Sequence, residues 1–163
     1  MINARAETLA EKPVFKGLLA KKRCIVPMDG FYEWMPGTPD GPLNAKGKPL
    51  KRPLFIHHRD DDPLAVAALW TTWRDPEDPE GRSLYSTTLV TTAANAAMRP
   101  VHDRMPAILT PDRWTEWLDP ANHDVGALTR LLDGGSPEIL DLFEVSTDGN
   151  NVRNNRPDLI EPG

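Results

Sequence analysis

At 163 residues the chain is long enough to bury a core without disulfides or a structural metal, and a single domain is the expectation. It is 39% hydrophobic with one cysteine, no apolar run near the ~20 residues of a membrane helix and no signal peptide, so it reads as soluble and cytoplasmic rather than membrane-bound or disulfide-stapled. A formal charge of −5 argues against a nucleic-acid partner, but residues 1–59 carry +6 and residues 60–163 carry −11, an asymmetry that marks a localised basic surface.

Seventeen prolines, against the usual ~5% of a chain, predict many short elements joined by fixed turns. Residues 6–22 read as a helix, with Pro13 at an early position and Val14, Phe15, Leu18 and Leu19 on one core-facing stripe. Lys12, Lys16, Lys21 and Lys22 on this helix are either a solvated face or the footprint of a phosphate backbone. CIVPM and FYEWM flank Asp29-Gly30, which predicts a hairpin over 24–35. A surface loop over 36–52 precedes strands at 53–58 and 64–70. A second loop at 75–82 leads to a β-branched strand at 84–92, then a short helix at 93–98 and a short strand at 107–109. Thr110-Pro111 opens a helix through Leu118, with Thr as N-cap and Pro at the first helical position. A further helix over 124–133 stops at Gly134-Gly135, and DLFEVS reads as the last strand. Strands and helices mix without regular βαβ alternation, so the fold class is α+β with a mixed, mostly antiparallel sheet.

Three clusters are polar where structure alone does not ask for it. Alternation along residues 1–8 places Asn3 and Arg5 on one side of an extended strand; Asn supplies both donor and acceptor, and Arg a fork for phosphate. Helix capping with a surface salt bridge is the alternative. In GFYEW, Glu33 shares a face with Phe31 and Met35, while Tyr32 and Trp34 share the other. Apolar surroundings disfavour a charged carboxylate, which makes Glu33 a candidate for proton transfer near neutrality; an edge-strand Glu reaching water is the alternative. In PVHDRMP, two prolines hold a turn that presents His102 for proton transfer beside Arg104, which could hold an anion; a structural His–Asp hydrogen bond is the alternative.

Other chemistries find less support. Neither a serine-hydrolase elbow nor a zinc-protease helix motif is present. His57 and His58 are adjacent on a strand and point to opposite faces, so they cannot chelate one metal together. Cys24 lies in an apolar run and reads as a buried small hydrophobe.

Four stretches, INARAET at 2–8, RCIVPMDGFYEW at 23–34, TTAANAAMRPVHDRMPAIL at 91–109 and, more loosely, VSTDGNNVRNNRPDLIEP at 145–162, together resemble the SRAP (SOS-response-associated peptidase) family, whose members shield abasic sites. They span nearly the whole chain in the family's order; Gly149 departs from it, standing where the family tends to carry an apolar residue. The resemblance implies a partly barrel-like sheet surrounded by short helices. It also implies single-stranded DNA containing abasic sites crossing a basic groove; the expectation is a monomer with no cofactor, no metal and no membrane, at the nucleoid when bound to DNA. In that family an N-terminal cysteine exposed by Met removal attacks the ring-opened aldehyde through its α-amine, and its thiol closes a thiazolidine. An α-amine with a pKa near ~8 keeps a neutral fraction at pH 7 that a lysine at ~10.4 does not.

Matched residue by residue, the resemblance implies that Asn3 orients the reacting amine and sugar, Glu33 acts as acid and base on the amine, and His102 assists ring opening. Arg5, Thr91 and Arg104 would hold phosphates beside the lesion. In the family the Met-Cys-Gly segment and the first strands precede the point where this chain begins. The expectation is therefore a domain without those strands, which forms no thiazolidine by itself. A non-covalent binding module for single-stranded or abasic DNA is the second reading. A peptidase acting on proteins is the third, for which no independent nucleophile is visible.

Overall fold

The computed structural model describes residues 2–78 and 80–163. In chain order the strands are β1 (Asn3–Arg5), β2 (Arg23–Met28), β3 (Gly30–Met35), β4 (Arg52–His58), β5 (Leu64–Trp73), β6 (Leu84–Ala93), β7 (Arg104–Pro106) and β8 (Leu140–Glu144). The helices are α1 (Pro13–Lys21), α2 (Pro111–Leu118) and α3 (Val125–Arg130). This is the mixed α+β class expected, built on open sheets with no closed barrel among the described residues.

Two compact units divide the chain. The first comprises Met1–Pro27, Ala65–Ala93 and Arg104–Gly135. It holds a five-stranded sheet in the order β1-β6-β5-β2, with β7 also on β6. The short β1 runs parallel to β6, while β5 and β7 are antiparallel to it. Its core gathers Leu9, Phe15 and Leu19 from the N-terminal region, Leu69 and Val90 from the sheet, and Leu109, Trp117, Leu128 and Leu132 from the helical segment. The second unit comprises Met28–Leu64, Ala94–Asp103 and Ser136–Gly163 and holds the antiparallel sheet β3-β4-β8. There Tyr32, Phe55, His57 and Phe143 pack as an aromatic cluster, with centroids 5.3–5.9 Å apart.

Arg23 ties the helices of the first unit together. It is buried, and its guanidinium donates to Leu19 O and Ala20 O at the end of α1 (both 2.8 Å), to Trp117 O (2.6 Å) and to Asp119 O at the end of α2. A cation among the orphan carbonyls of two helix C-termini satisfies both hydrogen bonding and the helix dipoles.

Several local expectations are corrected. The helix over 6–22 is two pieces, a 3-10 turn at Ala6–Thr8 and α1, because Pro13 has no N–H to donate and its ring clashes with the carbonyl four residues back. Val14 is 61% exposed and leaves the core stripe to Phe15 and Leu19. The hairpin over 24–35 does not form: β2 joins the first sheet and β3 the second. Neither Asp29 nor Gly30 has the positive φ of a tight primed turn. Gly30 is there for closeness, since a Cβ on it would lie 2.4 Å from the Phe55 ring and 2.5 Å from Ile56 O.

The stretch 93–98 is not a helix. β6 runs through Ala93, and Asn95 then caps a turn, its Oδ1 accepting from the N–H groups of Ala97 (3.1 Å) and Met98 (3.2 Å). The turn continues past Pro100, where Val101 and His102 donate their N–H groups to Met98 O (2.9 and 3.0 Å). The strand placed at 107–109 is β7, three residues earlier, with Ile108 in an isolated bridge to Val66. α2 and its Pro111 are where the sequence placed them, but the Thr110 side chain makes no capping bond. α3 is capped by Asp124, which accepts from Ala127 N (2.9 Å), and ends before Gly134 and Gly135, both at positive φ. Cys24 is half-buried rather than buried.

Candidate functional site

In the first unit the site grows from β1 and β6. Asn3 pairs with Leu89 and Arg5 with Thr91 in parallel register. β1 alternates exposed, buried, exposed, so Ala4 enters the core while Asn3 and Arg5 stand together on the outer side, as alternation predicts. Neither side chain is engaged by another group among the described residues, and neither caps a helix. The alternative of capping plus a salt bridge therefore does not account for them.

The ion pair of this region belongs to Arg104 and to a residue the sequence reading passed over, Glu7. Arg104 donates to both Glu7 carboxylate oxygens (2.6 and 3.0 Å), to Thr91 O (2.7 Å) and to Thr91 Oγ1 (3.2 Å). The Arg104 guanidinium holds the Glu7 carboxyl below the usual carboxylate range, helped by a backbone N–H from Ala93. β7 sets this geometry, because Arg104 pairs with Ala93 and Pro106 with Thr91, which puts Arg104 on the face shared by Thr91, Arg5 and Asn3. Only the INARAET motif hinted at Glu7, since its partner lies 97 residues away.

Glu33 and His102 belong to the second unit. Glu33 sits on β3 level with Leu54 of β4, on the same face as Phe31 and Met35, while the rings of Tyr32 and Trp34 lie together on the other face, 6.4 Å apart. It is half-buried, and no hydrogen bond or ion pair among the described residues engages it. Trp34 donates Nε1–H to Asn150 Oδ1 (2.6 Å), and Tyr32 donates its hydroxyl to Leu159 O (3.1 Å), so the C-terminal segment is fastened to this strand. His102 is exposed at the end of the turn after Pro100, and its Nδ1 lies 3.1 Å from Asp103 Oδ1. A carboxylate at Nδ1 orients the ring, which serves the structural alternative and proton transfer alike. Burial pushes the Cys24 thiol up, so it is a poor thiolate.

The structure thus brings Asn3, Arg5, Thr91 and Arg104 together on one polar face of a mixed sheet and places Glu33 and His102 on elements of the other unit. A mixed α+β protein with a polar, partly ion-paired face on its larger sheet is the class these features define. Residues 1–152 match the family described as SOS response associated peptidase (SRAP), and the chain belongs to that family.

Among its relatives, abasic site processing protein YoqW of Bacillus subtilis (strain 168) is 42% identical over 161 residues, 99% of this chain and 66% of that protein. Abasic site processing protein HMCES of Gallus gallus is 34% identical over 98% of this chain and 49% of its own length. A crystallised protein of Bacteroides thetaiotaomicron superposes with a TM-score of 0.81 at 29% identity, covering 99% of this chain and 65% of the other. The chain therefore spans about two thirds of the bacterial relative and about half of the vertebrate one.

Proposed function

We propose that this chain binds single-stranded DNA containing abasic sites, the lesion that names its relatives. The observation that carries the reading is the outer face of β1 and β6, where Asn3 and Arg5 are exposed and unengaged beside Thr91 and the Arg104–Glu7 pair. Such a face offers what a phosphodiester strand takes: an exposed guanidinium, a hydroxyl and an amide, with a carboxylate keeping the cluster from excess positive charge. Arg5, Thr91 and Arg104 are the strand-holding set.

In a protein that carries an N-terminal cysteine ahead of this region, Asn3, Glu33 and His102 serve the covalent step. Asn3 orients the amine, His102 moves the proton that opens the sugar ring, and Glu33 takes a proton from the amine as it adds to the aldehyde. Glu33 passes that proton to the former carbonyl oxygen, then takes the second amine proton and delivers it to the same oxygen, which departs as water and leaves an imine; the thiol adds to the imine carbon as its proton goes to the imine nitrogen. The unpartnered, half-buried Glu33 carboxylate supports this assignment.

The test of strand binding is fluorescence anisotropy with a labelled abasic oligonucleotide over a salt series. Arg5→Ala is expected to weaken binding evenly across sequences and to lower the salt slope by about 0.7, the share of one phosphate on a single strand. Unchanged affinity and slope would remove Arg5 and this face from the reading.

A further inference from the structure

The outer face that carries Asn3, Arg5 and Thr91 continues along β6 to a second feature. Pairing sets Thr87 opposite Trp70 and Tyr85 opposite Thr72, and strand alternation puts all four on the face shared by Leu89 and Thr91. Trp70 and Tyr85, diagonal neighbours across the pair, stack with centroids 6.2 Å apart and planes 28° from parallel. Lys22 completes the group, its Nζ 4.9 Å from the Trp70 ring centroid. Tyr85 is 71% exposed even so. A large aromatic ring held flat against another and left open to solvent contributes little to the core. The loop beyond these strands carries Arg74 and Arg82 but also Asp75, Glu77, Asp78 and Glu80, so its net charge is negative and disfavours phosphate.

We infer that Lys22, Trp70 and Tyr85 form a stacking platform for one unpaired base of the same single strand, at the end of the bound segment. This deepens the proposed function and rests on it. An exposed ring backed by a second ring and a cation is the chemistry that holds single-stranded nucleic acid without reading its sequence. Thr91 and Tyr85 lie six residue steps apart on β6, about 20 Å at ~3.3 Å per residue, which an extended strand covers in a few nucleotides. Arg5 and Thr91 hold the backbone at one end, and the acidic residues beyond Tyr85 set the other limit. Lys22 holds the Trp70 ring and supplies positive charge where the strand leaves.

The experiment uses the 163-residue chain, anisotropy, and oligonucleotides with a central stable abasic analogue. In one series each flanking nucleotide in turn is replaced by a base-free spacer. Tyr85→Ala is expected to bind the fully based strand about 5- to 100-fold more weakly, the loss of one base stack. Tyr85→Phe stays within about twofold, because the ring and not the hydroxyl carries the contact. Wild type should show one flanking position where removal of the base weakens binding, and Tyr85→Ala should lose that sensitivity. The unfolding midpoint of Tyr85→Ala serves as the fold control, and the exposure of the ring keeps it at the wild-type value. If Tyr85→Ala binds like wild type while Arg5→Ala is weakened, the platform is wrong and the proposed function stands. The platform is equally wrong if Tyr85→Ala weakens the fully based and spacer strands to the same extent. A wild-type chain that binds no single strand overturns both readings.

Discussion

Glu7 shows how one carboxylate can set the behaviour of its surroundings. It takes two of the Arg104 guanidinium's hydrogen bonds and offsets part of the positive charge that this side chain holds toward phosphate. Glu7→Gln is therefore expected to tighten single-strand binding a few-fold and to steepen the salt slope, read by the same titration. The pair also makes stability depend on pH. Because the Glu7 carboxyl titrates lower in the folded chain, its contribution is present above the ordinary glutamate value of the unfolded chain and is lost as the pH falls through the lowered folded value. Glu7 is about half exposed, which keeps this below roughly 1 kcal/mol. Urea unfolding between pH 6 and pH 3 should show wild type losing its advantage over Glu7→Gln across the acid limb; superimposed curves would mean that the ion pair is energetically silent.

Among the elements, the junction between β2 and β3 separates what local chemistry proposes from what packing selects. Asp-Gly between two apolar runs is a strong hairpin signal, yet the two strands belong to different sheets. The deciding contact is β4 passing against Gly30, where any side chain would collide with the Phe55 ring and the Ile56 carbonyl. Gly30→Ala is expected to cost about 1–3 kcal/mol through forced displacement of β4. Asp29→Ala, at an exposed position, should fall within about 0.5 kcal/mol of wild type. Denaturant midpoints measure both, and equal losses at the two positions would favour a turn in which both residues matter alike.

For the whole molecule, the consequence concerns what this chain can do with an abasic aldehyde. A thiazolidine needs an amine and a thiol on one residue, and the chain's single cysteine, Cys24, is internal, strand-bound and has its thiol pushed up by burial. The 163-residue chain is expected to give no hydrolysis-resistant adduct with abasic single-stranded DNA, only a Schiff base trappable by borohydride. Adding a segment that begins Met-Cys-Gly should give a stable adduct, and Glu33→Ala in that extended protein should slow its formation by roughly 10²–10⁴. A denaturing gel with the adduct mass determined reads both, and a stable adduct from the unextended chain would show that Cys24 reacts.

Much of this architecture is legible in the sequence, because faces and turns are local properties. Period-two alternation put Asn3 with Arg5 and Glu33 with Phe31 and Met35, and Pro111 fixed the start of α2. The spacing of four motifs carried the family. Partners distant along the chain were not legible: Glu7 for Arg104, Leu19 and Trp117 carbonyls for Arg23, Tyr85 for Trp70, and separate sheets for β2 and β3. Alternation says which way a side chain points along its own strand. Which strand lies beside it, and so which charge or ring it meets, depends on how the whole chain buries its apolar faces, and that only the tertiary structure decided.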